Sequence, residues 1–406
     1  MSEHGTRRRL FLVGISKAHV QRSIARAQRL GFEVILGDSE PKLAECADLV
    51  EAADRTVVTD YTDVDALLAT AGELGRPAPL NAIVTFKEEG SEQTARVAER
   101  LGLSTNSPRS VRACNDKAVA RALLDRAGLP GPRWTLCQDA KELRRFIAEV
   151  AGPVVIKPRD LFASVGVARV DPDDDAEAAL KSCLAAGTEP VALVEEFVVG
   201  REISIEAMLY RGTPVVFGVT EKLLYPGTFV ERGHVSPDPG DELTPAGYRQ
   251  LVGRITAALG LRQGPLHIEG YHTARGFVPG EIHTRYGGDD IVEVTEQASR
   301  CDMTTPVFAE LCRLPYGIVF GAPPRVCGIR FLDVPPGRVR SISGVAEVSR
   351  LPGVLRVQLD CQVGDQVVCP ASSFDRPGSV IAVADRRADL ERTFDRVAAE
   401  LCIETE

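Results

Sequence analysis

The chain has 406 residues, of which 44% are apolar and 26% charged, and this is typical of a globular protein with two or three domains. Its net charge of −9 argues against nucleic acid as a general partner, and no apolar run approaches the roughly 20 residues of a membrane span. The ten scattered cysteines form no C-x-x-C pair and no signal-peptide pattern precedes them, which favours free thiols in a cytoplasmic protein over disulfides or a zinc site.

The first region alternates short apolar strands with amphipathic helices. Strands are predicted at residues 10–14, 32–36 and 81–86, and helices at 19–30 and 92–101. This alternation predicts a Rossmann-like parallel α/β domain over residues 1–112. Gly14 and Asp38 lie where a dinucleotide site has its phosphate turn and ribose acid. The other glycines of G-x-G-x-x-G are missing, so a structural α/β domain is favoured over a nicotinamide site.

The rest of the chain divides near residue 315. Between residues 113 and 314, a helix capped by Asn115 or Asp116 is predicted to run to Arg126. Strands are predicted at residues 153–157, 191–195, 202–209 and 215–220, followed by a helix at 244–259. After residue 315, short strands at 326–332, 354–359 and 380–383 and a helix at 387–401 predict a C-terminal β-rich domain over 315–406.

Charged side chains follow two of the buried strands. Lys157 ends an apolar strand and precedes Pro158, which keeps it extended, so an anion or nucleotide contact is favoured. The small-residue loop after it could lie over phosphates and donate backbone N–H groups, or it could be a plain hairpin. Glu195 and Glu196 leave the next strand. Paired acids at a strand exit are usually solvated, but they could also flank an adenine.

The most informative stretch spans residues 265–290 and predicts two strands joined by a turn near residues 275–276. Alternation puts Glu281, His283 and Arg285 on one face of the second strand. Glu269 on the first strand then lies opposite Glu281 or one diagonal away. Opposed Cβ atoms are only about 5 Å apart, so the two carboxylates repel unless a cation or a proton lies between them, and the simplest cation is a divalent metal. Arg285 adds a fork suited to phosphate or carboxylate.

The order of these features resembles the ATP-grasp superfamily, and within it the carboxylate–amine ligases of the L-amino acid (dipeptide) ligase type. The likeness covers nearly the whole chain, from the lysine-led helix to the two-glutamate hairpin ending in Arg-Tyr-Gly-Gly-Asp. It implies an α/β (α+β) ATP-grasp fold. The ATP-grasp domain would span residues 113–314, with a lid at about 113–193 and a catalytic part at about 194–314.

The resemblance implies a role for each matching residue. The residues that it assigns to ATP are Lys117, Lys157, Ser164, Gly166, Glu195, Glu196, Val198 and Glu202. In this assignment the lysines and the loop take the phosphates, the next three residues hold adenine mostly through their backbone, and the last residue holds ribose. Glu269 and Glu281 would bind Mg²⁺, and Arg285 would stabilise the transferred phosphoryl group. Lys222 and His234 lie where the family's dipeptide ligases approach their substrate. The sequence is explained equally well if Lys222 is a surface lysine and His234 a loop histidine.

Two positions depart from the family pattern. The loop around residues 163–166 has fewer glycines than is usual, which predicts a stiffer lid. His283 stands where the family has a metal-binding asparagine, and imidazole suits Mn²⁺ better than it suits Mg²⁺. Three roles stay open for His283: a metal ligand, a support behind the ligands, or a substrate contact.

The implied activity is a two-step ligation. ATP phosphorylates a carboxylate, most simply that of an amino acid, and an amine then displaces phosphate from the acyl phosphate. The sequence does not separate this outcome from transfer of the acyl group to a carrier-protein thiol, ring closure within a small molecule, or nucleotide binding without ligase activity. The expected partners are small-molecule carboxylates and amines, a carrier protein as the alternative acceptor, and a second copy of the chain in a homodimer.

Overall fold

This computed structural model describes residues 7–159, 165–240 and 242–406. The strands are β1 (Arg8–Val13), β2 (Phe32–Asp38), β3 (Arg55–Val58), β4 (Ala82–Thr85), β5 (Trp134–Cys137), β6 (Val154–Pro158), β7 (Ala168–Val170), β8 (Ala192–Glu196), β9 (Arg201–Tyr210), β10 (Thr213–Leu224), β11 (Glu231–Ser236), β12 (Gly264–Thr273), β13 (Gly276–His283), β14 (Val326–Phe331), β15 (Gly337–Ser343), β16 (Val354–Leu359), β17 (Gln366–Val367), β18 (Gly378–Ala384) and β19 (Cys402–Thr405).

The helices alternate with these strands through most of the chain. They are α1 (Lys17–Arg29), α2 (Glu40–Glu45), α3 (Ala47–Ala52), α4 (Val64–Gly75), α5 (Ser91–Arg100), α6 (Pro108–Asn115), α7 (Lys117–Arg126), α8 (Ala140–Val150), α9 (Ala176–Ala186), α10 (Pro245–Leu259), α11 (Ile291–Ser299), α12 (Thr305–Leu311), α13 (Val345–Val348) and α14 (Arg387–Glu400), with a 3-10 turn at Ser373–Asp375. Within the described ranges, no helix is long and apolar enough to cross a membrane.

The N-terminal strands form a parallel sheet in the order β3-β2-β1-β4. Residues such as Phe11 and Leu12 on β1 are fully buried, because helices cover both faces of the sheet. Asp38 accepts hydrogen bonds from the backbone N–H groups of Ile15 (2.6 Å) and Ser39 (2.7 Å). Its carboxylate therefore ties the ends of β1 and β2 together, which agrees with a structural role.

A smaller antiparallel sheet follows, in the order β5-β8-β6-β7. Helices α8 and α9 pack against it around a core that includes Leu143, Ile156 and Val194. The chain from β6 to β7 turns at Gly166, whose φ is +71°. A Cβ there would approach Pro158 Cγ to 2.8 Å, so only glycine fits this turn. The predicted phosphate contact Ser164 lies outside the described residues.

The largest sheet has eight strands in the order β13-β12-β9-β10-β11-β14-β18-β16, with every neighbouring pair antiparallel. Helices α7 and α10 bury the apolar faces of β9 and β12, around residues such as Ile205, Val252 and Ile268. Three of the strands after residue 315 (β14, β16 and β18) extend this sheet, while β17-β15-β19 form a small separate sheet. The predicted boundary at 314/315 therefore falls between two strand sets of one sheet, and the domain limits stay a prediction.

Helix α11 is held by arginines from both ends of the chain. Arg26 on α1 forms a bidentate pair with Glu296, at 2.6 and 2.7 Å. Arg22 pairs with Glu293, and Arg356 on β16 reaches the same carboxylate at 3.5 Å. These pairs hold the N-terminal sheet and the C-terminal strands against the loop that carries Arg285, and so fix the walls of the cavity described next.

Candidate active site

One cavity of about 710 Å³ lies between the N-terminal sheet, the small antiparallel sheet and the eight-stranded sheet. This volume falls within the roughly 300–1,000 Å³ of small-molecule sites. The predicted site residues that line it are Lys117, Lys157, Glu195, Glu196, Val198, Glu202, Lys222, His234, Glu269, Glu281, His283 and Arg285. Gly166 lies between two lining residues, Val165 and Val167. The structure thus brings together side chains that are up to 168 positions apart, from residue 117 to residue 285.

The predicted hairpin is present as β12 and β13. The pairing passes from Ile268 opposite Ile282 to Gly270 opposite Pro279, so a bulge lies between them. Glu269 therefore stands across from residues 280–281, which include the second glutamate. Gly280 leaves room for this bulge, since a Cβ there would lie 3.1 Å from the Glu269 carbonyl oxygen. The bulge re-aims the side chains of both strands into the cavity.

Each of the two glutamates is surrounded by cations. Lys117 Nζ lies 3.6 Å from a Glu281 carboxylate oxygen, and Lys157 Nζ lies 4.0 Å from the other. Glu269 accepts a hydrogen bond from Lys222 Nζ at 3.1 Å. Burial alone would raise the pKa of Glu269, but Lys222 and a neighbouring histidine hold it well below its usual range. The Glu269 carboxylate is therefore ionised at neutral pH and able to bind a metal.

The chemistry of the predicted donors suits a divalent cation, while the ligand atoms of Glu269, Glu281 and His283 do not all lie within 4.8 Å of one another in this structure. Two carboxylates open onto the cavity, and His283 Nε2 lies 3.7 Å from a Glu281 oxygen. The other ring nitrogen, Nδ1, lies 3.1 Å from Glu88, although the N–H direction is not aligned for a hydrogen bond. Carboxylate oxygens suit Mg²⁺, and an added imidazole suits Mn²⁺ as well.

Glu88 was not anticipated from the sequence. It lies just after β4 in the N-terminal sheet and binds Arg285 at 2.7 Å, from 197 positions away. Burial would raise its pKa, but His283 and Arg285 together hold the pKa of this carboxyl far below its usual range. A signal was present, because the carboxyl ends of parallel strands are where α/β sheets place ligand-binding side chains.

A buried ion pair lies behind the lysines. The Glu195 carboxylate binds both Arg121 and Lys157 Nζ, the latter at 2.7 Å. Arg121 also donates to the carbonyl of Pro279 at 2.6 Å, which ties α7 to the metal-site hairpin. The Glu195 side chain therefore positions Lys157, and only its backbone remains for the predicted adenine contact. Arg121 could have been found from its spacing, because it follows Lys117 by four residues on one helix face.

This pair makes a testable contribution to acid stability. Burial would raise the pKa of Glu195, but Arg121 and Lys157 lower it from 4.5 to about 2. The pair therefore stabilises the fold above pH 4.5, and its contribution is lost as pH falls toward 2. We expect Glu195→Gln to remove on the order of 3 kcal/mol of this pH-dependent stability, as measured by denaturation between pH 7 and pH 3. The exposed-pair variant Glu92→Gln is the control, and parallel stability–pH curves for the two variants would contradict the assignment.

The segment at the end of β8, which was predicted to hold adenine, is fixed by backbone hydrogen bonds. The Glu196 N–H donates to the Arg133 carbonyl at 2.8 Å, and the Phe197 N–H donates to the Pro153 carbonyl at 3.0 Å. These bonds fix the backbone around Val198, which lines the cavity. The Glu196 carboxylate is turned away, toward the Arg133 guanidinium at 3.2 Å. The side chain of Glu196 is thus an external ion pair, which makes it useful as a control.

Glu202 and Lys222 lie together further along the cavity. Lys222 Nζ lies 2.9 Å from Glu202 and 3.6 Å from Glu231. Burial opposes its charge, but the surrounding glutamates raise the pKa of Lys222 well above its usual value. Burial raises the pKa of Glu202, although Lys222 opposes this. Lys222 therefore joins the predicted ribose acid Glu202 to the predicted metal ligand Glu269, and its substrate contact stays a prediction.

A second set of charges lies around His234. Its Nε2 lies 3.3 Å from an Asp289 oxygen. Arg376 binds the same carboxylate through two hydrogen bonds, of 2.6 and 2.7 Å, and its guanidinium stacks 3.6 Å from the centre of the Phe331 ring. Asp289 and Arg376 were not anticipated from the sequence. Asp289 adjoins the glycines of the hairpin end, but nothing local to Arg376 connects a C-terminal loop with this cavity.

A buried histidine supports Glu269 from behind. His267 Nε2 lies 3.0 Å from Glu269, and its Nδ1 contacts the fully buried Glu206. Burial would lower its pKa, but Glu206 and Glu269 raise the pKa of His267 to about 9. Glu206 also accepts a hydrogen bond from the Gly287 N–H at 3.0 Å. This chain of contacts was missed by the sequence analysis, and it fixes the orientation of Glu269.

Three family models match consecutive parts of the chain. Residues 24–105 match the ATP-grasp N-terminal domain, residues 150–293 match the ATP-grasp domain, and residues 330–406 match the L-amino acid ligase C-terminal domain 2. The matched segments contain the hairpin, the hinge and the C-terminal loop at the cavity, so the resemblance stated from the motifs is confirmed.

Similar proteins point the same way. An uncharacterized protein of Sinorhizobium fredii is 28% identical over 97% of this chain and 82% of its own length. A D-alanine–D-alanine ligase of Desulforudis audaxviator is 29% identical over 48% of this chain and 66% of that ligase. The crystal structure of an L-amino acid ligase from Bacillus licheniformis is 21% identical, with a TM-score of 0.82, over 99% of this chain and 100% of that one. The mixed α/β fold predicted from the sequence is therefore confirmed as an ATP-grasp fold.

Proposed function

Because this chain belongs to the ATP-grasp superfamily of C–N bond-forming ligases, we propose that it joins the carboxylate of an amino acid to an amine and releases ADP and phosphate. One observation carries this proposal. Two glutamates on facing strands, Glu269 and Glu281, share a single cavity with Lys117, Lys157 and Arg285. This is the charge distribution that a nucleoside triphosphate and its metal require.

The residues divide the work by position. Lys117 and Lys157 bind the phosphates of ATP, and the backbone around Val198 holds adenine. Glu269 and Glu281 would hold Mg²⁺, with His283 as a further ligand. The metal, when bound, neutralises charge on the transferred phosphoryl group. Val198, the acids and the lysines line one continuous cavity, so the nucleotide and the acid substrate are held in one place.

The reaction needs no covalent enzyme intermediate. A carboxylate oxygen of the first substrate attacks the γ-phosphorus, the bond to the β-γ bridging oxygen breaks, and ADP leaves. The amine then attacks the acyl carbon, the C–O bond to phosphate breaks, and the amine proton is lost to solvent or phosphate. Arg285 stabilises the oxyanion that develops in each step. Glu88 holds Arg285 in place through its hydrogen bond of 2.7 Å.

A screen of paired amino acids tests the activity. ADP release would be measured for each pair with ATP and Mg²⁺, and the product mass would be determined for every pair that responds. We expect ADP, phosphate and a product whose mass equals the two substrates less one water. Release of AMP and pyrophosphate would overturn the acyl-phosphate mechanism. ATP binding without turnover for any acid would favour a nucleotide-binding protein instead.

The identity of residue 283 gives a separate prediction about the metal. If His283 Nε2 is a ligand, His283→Asn exchanges an imidazole for an amide oxygen, which Mg²⁺ prefers. We expect the ratio of Mn²⁺ to Mg²⁺ affinity to fall by about tenfold, as measured by calorimetry in the presence of ADP. ADP binding without metal serves as the control and should not change. An unchanged ratio of metal affinities would place His283 outside the set of ligands.

A further inference from the structure

An exposed phenylalanine stands at the mouth of the cavity. Phe374 is 77% exposed, and it is also one of the lining residues. It lies in the C-terminal 3-10 turn at Ser373–Asp375, more than 80 residues beyond the hairpin. Single exposed apolar residues are common on protein surfaces. Val165 and Val199 are also exposed and line the cavity, and Phe374 differs from them in being aromatic.

The turn that carries Phe374 is held on both sides. Ser372 and Asp375 form a reciprocal capping box around it. Ser373 Oγ donates to a Glu231 oxygen at 2.8 Å, and the bidentate Arg376–Asp289 pair anchors the following residue. The aromatic ring is therefore presented on a fixed support, so its exposure does not come from a loose chain. An apolar group that is held in water has an unfavourable hydration free energy, and covering it with another apolar group lowers the free energy.

The surroundings of Phe374 define what could cover it. Leu224 and Phe229 line the same cavity from the β10–β11 hairpin. Leu224 is the last residue of β10, and Phe229 lies in the turn just before β11. Glu231 begins β11, lines the same cavity and is bonded to the Phe374 turn through Ser373, so apolar and charged side chains share this cavity wall. A wall that combines apolar side chains with fixed charges is complementary to an amino acid with an apolar side chain.

We propose that Phe374 contacts the apolar side chain of an amino-acid substrate, and that its turn gives the site a preference for apolar over small amino acids. This inference rests on the proposed ligase function, because it assigns one of that reaction's substrates to this end of the cavity. Glu231 links the turn to Lys222, which lies 3.6 Å from it. The subsite is thus continuous with the nucleotide end of the cavity.

Binding of L-leucine and glycine to the full chain, measured by calorimetry with ADP and Mg²⁺ present, tests the proposal without turnover. We expect leucine to bind at least about tenfold more tightly than glycine, from burial of its side chain. Phe374→Ala should weaken leucine binding by about five- to tenfold and leave glycine binding unchanged. Phe374→Leu should keep most of the leucine affinity. Val363→Ala is the control, since Val363 is 61% exposed in the same C-terminal region and does not line the cavity.

Three results would overturn the subsite: equal affinity for leucine and glycine, no binding of either, or a Phe374→Ala variant that behaves like Val363→Ala. The ADP-release screen decides the ligase function separately. Leucine binding that depends on Phe374 in a protein that never releases ADP would retain the subsite and remove the ligase proposal. Turnover in a protein whose leucine binding does not depend on Phe374 would retain the ligase proposal and remove the subsite.

Discussion

Glu281→Gln is expected to reduce substrate-dependent ADP release by at least about 100-fold. The substitution keeps the size of the side chain but removes the charge that faces Lys117 at 3.6 Å and Lys157 at 4.0 Å. The amide is a poorer metal ligand than a carboxylate, and the loss of one group that acts on charge in the transition state commonly lowers turnover by about 10² to 10³. Steady-state ADP release with saturating substrates is the measurement.

Glu196→Gln provides the matched control for this experiment. It makes the same chemical change in the same cavity, but the Glu196 carboxylate is turned toward Arg133. Its turnover should stay within about threefold of the unmodified protein, because Glu196 pairs with two arginines, Arg133 and Arg275, that are 55% and 54% exposed, and such pairs contribute little. Equal losses in the two variants would show that the reaction depends on the total charge of the cavity and not on a metal site at the hairpin.

Arg121→Met is expected to lower the free energy of unfolding by about 3–5 kcal/mol. The substitution leaves Glu195 buried with Lys157 as its remaining partner and removes the hydrogen bond to the Pro279 carbonyl. Breaking a buried pair from one side is destabilising, because a charge stays inside without full compensation. Denaturation followed by circular dichroism at pH 7 measures the change. Lys157 should also lose affinity for phosphate, since it becomes the sole partner of Glu195.

Arg96→Met is the control for stability. Arg96 forms an i,i+4 pair with Glu92 on an exposed helix face, and its side chain is 45% exposed. Its loss should change the free energy of unfolding by less than about 1 kcal/mol. If the two arginine variants were equally stable, the Arg121–Glu195 pair would have no role in holding the hairpin against α7.

The hairpin shows what periodicity can predict. Alternation along two short strands was enough to place Glu269 and Glu281 on facing positions, because the turn fixes the register and the register fixes the faces. The bulge at residues 280–281 was not predictable, since it depends on the fit of Gly280 against the neighbouring strand. The lysine at the end of β6 was found for a similar reason, as a charged group leaving a buried strand.

The residues that the sequence analysis missed come from other parts of the fold. Glu88 reaches Arg285 only because the N-terminal sheet packs against α11. Arg376 reaches Asp289 only because the last strands join the central sheet. Such contacts depend on the arrangement of whole layers, which local patterns do not encode. The acids around Lys222 could not be predicted either, because they are spread over residues 202–269.

The continuity of the eight-stranded sheet restricts how this protein can be recombined with its relatives. β11, which carries His234, pairs with β10 on one side and with β14 on the other. A chain cut after residue 314 would leave the backbone groups of β11 that face β14 unpaired and open to association with other chains. A chimera that exchanges the C-terminal segment to change specificity must therefore reproduce the β11–β14 register. Any exchange that brings in a new Phe374 turn therefore also brings in the C-terminal strands of the sheet.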